Sequence, residues 1–434
     1  MVSDISWEAG LLEKGTAHDS QIIVGNIGLG MYRLRLNEGR KGDSHKWQIS
    51  SMVINLKRWD IRTEKLSLHN ILCLTQNNAF VFVSILTLII MLLVGCAVAP
   101  VENETQLVWP APPLSPRIQF VRSVVGEEDL KKDTTFSQQV MDFLTGVKPP
   151  PKRIVEPMGV AVSDDGQQLY VANSRGYVFA FDFENDVFKK IAPLDRPIGL
   201  VLDGEGFLHV VEQGKRQITV FDPTGVKIRS YTHPDIERPT GIAIDRTRSR
   251  VYVADTGGGK EEDGTTTGHS VKVFSLDGEL VETIGRGKGQ EPGQMLFPTY
   301  LALDSKGNLY VTDTLNARVQ VFDPEGDYIK SIGQRGSAWG MFDKPKGVAL
   351  DSFGNVYVVD SGWSNVQIFN QKGQVLLFFG GRGPLPGMLK NPTSIAIDAE
   401  NRIYVADFIN HRVNIYQLVN TTAADSKIQQ RNVN

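Results

Sequence analysis

Two pairs of oppositely charged residues recur at one spacing in the last third of the chain. Asp313 stands five residues before Arg318, and Asp407 stands five residues before Arg412. A carboxylate held beside a guanidinium could take part in chemistry, or it could form an ion pair that fixes the bend between two strands. Because the pair recurs at one place in a repeated unit, we interpret it as scaffold and not as a reactive site.

A second candidate for chemistry is a metal site formed by His233, His269 and Asp263. The two histidines fall on neighbouring loops near the aspartate, and imidazole and carboxylate groups are ordinary metal ligands. An effective site needs three or more ligands that converge, so this hypothesis is weak and we predict no cofactor. His209 replaces a strand tyrosine, which indicates a core residue, and His411 belongs to a repeated motif.

A sixfold repeat supplies the elements that must position these residues. Each copy starts with a proline followed by an apolar run, and the prolines are 40, 42, 59, 47 and 47 residues apart. A period in this range is typical of a solenoid or a propeller. The copies begin at Pro157, Pro197, Pro239, Pro298, Pro345 and Pro392.

Each copy contains four short β segments. In the fourth copy they are residues 301–304, 309–313, 318–322 and 328–332, separated by tight turns rich in glycine. Four short antiparallel strands per unit are the pattern of a propeller blade. The fold class predicted is therefore all-β, a six-bladed β-propeller.

The sixth copy lacks its fourth strand. Only a polar tail follows Val413-Asn414-Ile415-Tyr416, whereas residues 118–125, ahead of the first copy, have the pattern of a fourth strand. We expect this N-terminal strand to complete the last blade, so that the ring closes and leaves no open edge. The expected product is a monomeric propeller over residues 118–420, followed by a disordered tail at 421–434.

The sequence pattern of the repeated units resembles the NHL repeat. The pattern Pro-x-Gly-Ile-Ala-Ile-Asp, then Val-Tyr-Val-Ala-Asp, then Asn410-His411-Arg412-Val413 carries the resemblance over about residues 118–420. Asn173, Glu212 and Asn365 depart from the consensus acid and arginine positions. The best match is to bacterial six-bladed NHL-propeller lipoproteins. By resemblance, relatives include an amidating lyase and, more distantly, lactonases, while animal NHL propellers bind RNA or accompany ubiquitin-ligase domains.

A binding site is expected at the mouth of the central channel, where the residues after each proline should lie. The third position of the repeat is glycine in four blades, but Tyr300 and Ser394 replace it in blades four and six. We hypothesise a small polar pocket with arginines on its rim, or alternatively a channel that Tyr300 merely plugs. The pocket residues are Thr240, Thr299, Tyr300, Lys346, Thr393 and Ser394, and the rim residues are Arg286, Arg335 and Arg382.

The N-terminal region reads as an export signal. Residues 79–94 contain no charge and follow several basic residues, and the run ends in Leu93-Val94-Gly95-Cys96, which resembles the bacterial lipoprotein box. Residues 52–96 are predicted to be a lipoprotein signal peptide with lipidation at Cys96, or an uncleaved signal anchor. Both alternatives place the propeller in the bacterial cell envelope, facing the periplasm or the exterior. Residues 1–51 are predicted to be a spurious or disordered extension.

Two segments lie between the signal and the first repeat. Residues 97–117 are rich in proline, which favours an extended tether. Residues 133–146 carry apolar side chains at helical spacing and predict a helix that packs on the propeller wall or covers the channel as a lid.

Composition narrows the function. A net charge of -3 over 434 residues argues against a nucleic-acid partner. The two cysteines, Cys73 and Cys96, lie outside the repeats, so the propeller has no disulfide. We predict a membrane-anchored binding or scaffold protein that presents its loops to a protein, polysaccharide or anionic ligand. The alternative is a metal-dependent propeller enzyme, lyase-like or lactonase-like, acting at the channel mouth.

Overall fold

The structure is a computed structural model that describes residues 20–27, 30–38, 47–55, 106–130, 151–258 and 268–421. The chain divides into two compact units, residues 1–102 and 103–434. The predicted signal segment, Cys96, Asp263 and the predicted helix at 133–146 lie outside the described residues. In the described part, no helix has both the length and the apolar character needed to cross a membrane.

The first unit contains a three-stranded antiparallel sheet. Its strands are β1 (Ser20–Ile27), β2 (Gly30–Glu38) and β3 (Trp47–Asn55), hydrogen-bonded in chain order. Residues 1–51 were predicted to be a spurious or disordered extension, and the described strands fall largely within them. The alternation of apolar and basic residues in Tyr32-Arg33-Leu34-Arg35-Leu36 is typical of a strand.

The second unit contains the blades. Each blade is an antiparallel sheet whose strands are hydrogen-bonded in chain order. Blade 1 is β6 (Pro157–Val162), β7 (Gln168–Asn173), β8 (Tyr177–Asp182) and β9 (Val187–Ile191); blade 2 is β10 (Pro197–Leu202), β11 (Leu208–Glu212), β12 (Gln217–Phe221) and β13 (Lys227–Tyr231); blade 3 is β14 (Pro239–Asp245), β15 (Arg250–Asp255), β16 (Ser270–Ser275) and β17 (Leu280–Ile284). Blade 4 is β18 (Pro298–Leu303), β19 (Leu309–Asp313), β20 (Arg318–Phe322) and β21 (Tyr328–Ile332); blade 5 is β22 (Pro345–Leu350), β23 (Val356–Asp360), β24 (Asn365–Phe369) and β25 (Val375–Gly380); blade 6 begins with β26 (Pro392–Ile397), β27 (Arg402–Asp407) and β28 (Arg412–Leu418).

The blades are arranged in a closed ring. The first strand of each blade lies against the first strands of both neighbouring blades, and β26 of blade 6 lies against β6 of blade 1. The six first strands therefore surround a central channel. The prediction of an all-β, six-bladed propeller is confirmed.

The N-terminal strand completes blade 6, as the sequence predicted. β5 (Ile118–Val124) pairs antiparallel with β28, in a register that sets Val124 opposite Val413 and Ile118 opposite Leu418. A two-residue strand, β4 (Val108–Trp109), then pairs with β5 and adds a fifth strand to this sheet. β4 falls within the segment 97–117 that was expected to be only a tether.

The cores of the propeller lie between adjacent blades. Each of its apolar clusters joins side chains of two neighbouring sheets, and the largest fully buried side chains are tyrosines and phenylalanines. At the channel the first strands approach so closely that a Cβ atom on Gly159 would overlap the carbonyl oxygen of Ile198 in the next blade. This close approach is the physical reason for the glycine in the repeated Pro-x-Gly pattern.

Candidate functional site: the channel mouth and the loop face

One end of the propeller carries two sets of loops. Because the strands alternate in direction, the loops between second and third strands emerge at the same end as the loops that join one blade to the next. The first strands also begin at this end, so the channel mouth opens here. We call this end the loop face.

The recurring acid–arginine pairs hold these loops in place. Asp313, at the end of β19, accepts hydrogen bonds from the backbone N–H of Leu296 at 2.6 Å, from Asn316 Nδ2 at 2.7 Å and from Arg318 Nε at 2.9 Å. Burial raises the pKa of Asp313, and these hydrogen bonds oppose the rise. The side chain thus ties the incoming loop to the end of its own second strand, which is a scaffold role.

Blades that depart from the consensus acid keep the same role. Glu212 of blade 2 accepts a hydrogen bond from the backbone N–H of Asp195 at 2.8 Å and from the Thr219 hydroxyl at 2.6 Å. Asn173 of blade 1 donates from Nδ2 to the carbonyl oxygen of Val155 in the incoming segment. The departures therefore preserve loop anchoring and do not mark a separate site.

The threonines predicted for the pocket lie in the seams between blades. Thr393 donates to the carbonyl oxygen of Pro157 at 2.9 Å, and Thr240 donates to that of Pro298 at 3.3 Å. All three threonines are buried, and Thr299 lies 2.7 Å from the Thr314 hydroxyl.

Thr314 donates in turn to the Pro345 carbonyl oxygen at 2.8 Å. Ser394 is also buried and accepts from the backbone N–H of Val160 at 3.3 Å. These hydroxyls join blade 3 to blade 4, blade 4 to blade 5 and blade 6 to blade 1. Sequence reasoning could identify the positions but not the direction of the hydroxyl groups.

Tyr300 spans the channel. Its hydroxyl donates a 2.6 Å hydrogen bond to the carbonyl oxygen of Met158. Tyr300 lies on blade 4 and Met158 on blade 1, three blades away on the opposite side of a six-membered ring. Burial raises the pKa of the phenol, so it stays protonated and can donate. This geometry supports the alternative in which Tyr300 plugs the channel.

Lys346 is the cation on the ring of first strands. It lies at the second position of β22 and is half-buried. Burial lowers the pKa of its ammonium group, and the nearby charge of Lys344 lowers it further.

The rim arginines brace the loops. Arg335 donates to the Leu315 carbonyl oxygen at 2.8 Å, and Arg382 donates to that of Gly362 at 2.7 Å. In three consecutive inter-blade loops an isolated bridge links residue pairs at the same position: Lys288 with Met295, Arg335 with Phe342, and Arg382 with Leu389. The counterpart of Arg335 and Arg382 is therefore Lys288 and not Arg286, because the glycine spacing in that loop is shifted.

Of the two histidines proposed for a metal, His269 occupies a repeat position that His411 also occupies. Nδ1 of His269 accepts the backbone N–H of Phe297 at 3.1 Å, as Nδ1 of His411 accepts that of Glu156 at 3.0 Å. Both residues have a positive φ just before a third strand. His233 lies 3.7 Å from Asp235. Among the described residues, which exclude Asp263, no group of three or more His, Cys, Asp or Glu side chains could hold a metal.

A set of exposed apolar side chains on the loop face was not foreseen from the sequence. Trp339 is 73% exposed, and its ring lies 4.9 Å from that of Phe378, edge to face. We call the set the apolar loop cluster. Within the described part it comprises Leu315, Trp339, Trp363, Leu385, Met388 and Ile409.

The apolar loop cluster lies only on blades 4 to 6 and their joining loops. Exposed large apolar residues in the described parts of blades 1 to 3 are scattered on outer strands and turns, such as Val187, Val226 and Val281. The sequence signal that could have revealed the cluster is two tryptophans, Trp339 and Trp363, in segments between strands. Met295, Phe342 and Leu389 lie in the inter-blade loops that follow blades 3, 4 and 5. All three side chains are fully buried and fix the shape of these loops.

Two family models match parts of the chain. The model described as SMP-30/Gluconolactonase/LRE-like region matches residues 140–257, which include blades 1 and 2 and the first two strands of blade 3. The NHL repeat model matches residues 295–322 and 389–416. The two NHL matches coincide with blades 4 and 6, which carry the Asp313–Arg318 and Asp407–Arg412 pairs.

Similar proteins include NHL repeat-containing protein 3 of Mus musculus, which is 28% identical over 151 residues. The match covers 32% of this chain and 42% of that protein, and the Homo sapiens counterpart matches to the same extent. The chain thus spans less than half the length of these relatives.

Solved structures with similar folds include virginiamycin B lyase from Staphylococcus aureus and a protein of unknown function from Bacteroides thetaiotaomicron. The first is 15% identical with a TM-score of 0.45, covering 61% of this chain and 96% of that one. The second is 15% identical with a TM-score of 0.49, covering 61% and 70%. At these identities nothing about activity carries over. The chain carries NHL repeats and an SMP-30/gluconolactonase/LRE-like region, and its fold is a six-bladed all-β propeller.

Proposed function

We propose that this chain is an extracytoplasmic binding protein, anchored to a bacterial membrane, whose propeller presents the loop face of blades 4 to 6 to a protein ligand. The observation that carries this proposal is the apolar loop cluster. Large apolar residues exposed together on one face commonly mark an interaction site, whereas single exposed ones need no explanation.

The chemistry of the cluster favours a protein over a polysaccharide. Tryptophan and arginine are the residues most enriched where binding energy concentrates at protein interfaces. Here Trp339 and Trp363 share the loop face with Arg335 and Arg382, and Lys346 adds positive charge at the channel mouth. The aliphatic members of the cluster suit an apolar protein surface more than a sugar.

The scaffold beneath the cluster supports binding without large rearrangement. Asp360 accepts hydrogen bonds from the backbone N–H groups of Asp343 and Gly362, so one carboxylate fixes both loops that carry the tryptophans. Phe342 is fully buried under the first of these loops. Loops held in one shape lose less entropy on binding, which favours affinity.

A second candidate function is catalysis at the channel mouth. The match of residues 140–257 to the SMP-30/Gluconolactonase/LRE-like model favours it. In this structure Tyr300 occupies the channel, so a substrate would have to displace its hydrogen bond to Met158. Stoichiometric metal in the purified full chain, together with a hydrolase or lyase activity, would favour this candidate over the binding role.

Affinity capture tests the binding role. The full chain and its Trp339→Ser/Trp363→Ser variant are used to capture proteins from solubilised cell envelope. The matched control is Val226→Ser/Val281→Ser, which changes two exposed apolar residues away from the loop face. We expect one protein to be retained by the wild type and the control, and lost by the tryptophan variant. Equal retention by all three would refute the assignment.

Membrane anchoring needs a separate test. We expect lipid-labelled chain of reduced mass from the wild type and from Cys73→Ser, and no lipid label from Cys96→Ser. A Cys96→Ser variant that stays in the membrane at full length would instead support an uncleaved signal anchor. A wild-type chain found in the cytosol would contradict both forms of anchoring.

A further inference from the structure

The outer strand of blade 5 differs from the outer strands of the other blades. It is β25 (Val375–Gly380), and it contains no charged residue. The strand is the last in its sheet, so within the described part of the chain one of its edges pairs with no other strand. A free edge strand is a template for pairing with another extended chain, and proteins commonly protect such edges with charged side chains.

One ladder position carries this protection in the five other blades. It lies opposite the residue just before the last aromatic residue of the third strand. In blade 5 that residue is Ile368, and the outer strand places Leu377 opposite it. The same register gives a charged residue in every other blade: Lys189 in blade 1, Arg229 in blade 2, Glu282 in blade 3, Lys330 in blade 4 and Arg122 in blade 6.

The cations at this position also brace neighbouring blades against each other. Lys189 donates to the carbonyl oxygen of Thr224 at 3.1 Å, and Lys330 donates to that of Gln371. Both acceptors lie in the turn between the third and fourth strands of the following blade. Arg229 makes the same contact from blade 2 to the turn of blade 3.

The gap between blades 5 and 6 lacks this brace. Leu377 has no group to donate, and blade 6 has no turn between its third and fourth strands because β5 comes from the N-terminal side of the propeller. A cleft of about 310 Å³ remains there, which is in the size range of ligand sites. We call it the blade 5–6 cleft, and its apolar walls are Ile368, Leu376 and Leu377 of blade 5 and Pro110, Leu114 and Leu418 on the side of blade 6.

The polar groups that line the blade 5–6 cleft already have partners. The Tyr357 hydroxyl donates to Asp351 at 3.1 Å, and Asn355 Nδ2 donates to the same carboxylate at 2.8 Å. Arg117 donates to the carbonyl oxygen of Asn420. Because a polar group buried without a partner is costly, the cleft favours an apolar side chain over a charged one.

Blade 6 shows how an outer edge is covered in this fold. β4 pairs antiparallel with β5 and forms a fifth strand of that sheet. The ring of Trp109 on β4 lies 6.1 Å from the ring of Phe379 on β25, centroid to centroid. An extended segment on an outer edge can thus place a large apolar side chain between blades 5 and 6.

We propose that β25 binds an extended segment of a partner protein as a fifth strand of blade 5, with an apolar side chain of that segment in the blade 5–6 cleft. In this mode of recognition main-chain hydrogen bonds supply affinity, and pockets for alternate side chains supply specificity. Phe378, on the other face of β25, is 40% exposed and packs against Trp339. The remaining side chains of the segment therefore also meet an apolar surface. The site does not depend on the protein ligand proposed for the loop face.

A seven-residue peptide of alternating threonine and leucine is the probe. Its counterpart has the same sequence with every backbone nitrogen methylated, so that it keeps the side chains but cannot donate main-chain hydrogen bonds. Fluorescence anisotropy of the labelled peptides measures binding to the full chain. We expect the unmodified peptide to bind at least tenfold more tightly than the methylated one and to slow hydrogen exchange at the amides of β25.

Two variants test the position of the site. Leu377→Lys introduces the charge that the other blades carry, and Leu114→Asp places a charge on the opposite wall, at a side chain that is 64% exposed. We expect each to weaken binding of the unmodified peptide at least tenfold. The matched control is Ile329→Lys on the outer strand of blade 4, which should bind as the wild type does. Thermal unfolding checks each variant, and if Leu377→Lys does not fold, Leu114→Asp decides.

Three results would overturn the inference. The first is peptide binding that is unchanged in the folded variants, and the second is equal binding of the unmodified and methylated peptides. The third is a wild-type chain that sediments as a dimer while Leu377→Lys sediments as a monomer, because a second copy of the chain would then occupy the edge of β25.

Discussion

The hydroxyl of Tyr300 donates a 2.6 Å hydrogen bond to the carbonyl oxygen of Met158 on the opposite side of the channel. Four blades place glycine at the position of Tyr300 because their first strands come too close for a side chain. In blade 4 the side chain projects into the channel instead and joins blades that share no strand contact. The residue therefore stabilises the ring across its diameter.

Two substitutions of Tyr300 should destabilise the propeller by different amounts. Tyr300→Phe loses one buried hydrogen bond and leaves a carbonyl group unpaired, at a cost of about 1–2 kcal/mol in the free energy of unfolding. Tyr300→Gly also empties the channel, and we expect a loss of about 3–5 kcal/mol. Urea unfolding monitored by tryptophan fluorescence gives both values.

The control for Tyr300→Phe is Tyr328→Phe, whose hydroxyl meets Ser331 at an exposed position. It should change stability by less than about 0.5 kcal/mol. If the two variants behave alike, Tyr300 does not brace the ring.

The closing strand offers a second prediction. Ile118 on β5 is fully buried, whereas Val121 on the same strand is 48% exposed. Ile118→Ala should cost about 2–5 kcal/mol, and Val121→Ala should change stability by less than about 0.5 kcal/mol. Chemical denaturation of the full chain measures both. A small effect at Ile118 would mean that β5 contributes little to the closed ring.

The imidazole in blade 2 leads to a third prediction. His209→Tyr restores the residue of the other blades, and its hydroxyl can donate to Asp203 as Tyr357 donates to Asp351. The change also removes the unpaired Nδ1 atom. We expect the free energy of unfolding to rise by about 1 kcal/mol. A variant less stable than the wild type would show that the space around His209 cannot accept a phenol ring.

Lys346 makes stability depend on pH. Burial sets the pKa of this lysine in the folded protein below its ordinary value of 10.5. Between these two pKa values the unfolded chain binds more protons than the folded one, so the free energy of unfolding rises with pH through that window. Below the window the full cost of the buried charge is present.

Lys346→Met removes this dependence. We expect the variant to be more stable than the wild type at pH 7, with the difference shrinking as pH rises towards 10.5. Urea midpoints at several pH values give the comparison, and Lys306→Met, at an exposed turn, is the control. A difference that stays constant with pH would show that Lys346 is not titrating.

Much of the fold could be predicted because the sequence contains six copies of one pattern. The Pro-x-Gly pattern located six first strands, and the missing fourth strand of the last copy pointed to residues 118–125, where the structure has β5 at Ile118–Val124. β4 was missed since two residues carry no periodic signal. Strands β1 to β3 were not predicted, although the alternation of apolar and basic residues in β2 is a local strand signal.

The site was harder to predict because hydroxyl direction and exposure are properties of the packed structure. Thr393 and Tyr300 are polar residues at the mouth, yet one joins neighbouring blades and the other crosses the channel. Arg286 was chosen by its identity, whereas the backbone bridges show that Lys288 holds the equivalent place. Trp339 and Trp363 are not part of the repeated pattern, so their position on the same face could be seen only once the blades were arranged in the ring.

Photocrosslinking tests the central claim, that the loop face of blades 4 to 6 is the binding surface. The photoreactive residue p-benzoylphenylalanine is placed in the full chain at Leu315, Leu385 or Ile409, and in parallel at Val281 or Ile329 on outer strands. After irradiation of intact cells, the account predicts one discrete crosslinked protein from the three loop-face positions and none from the outer strands. Crosslinks of equal yield from both sets, or from the outer strands alone, would contradict it.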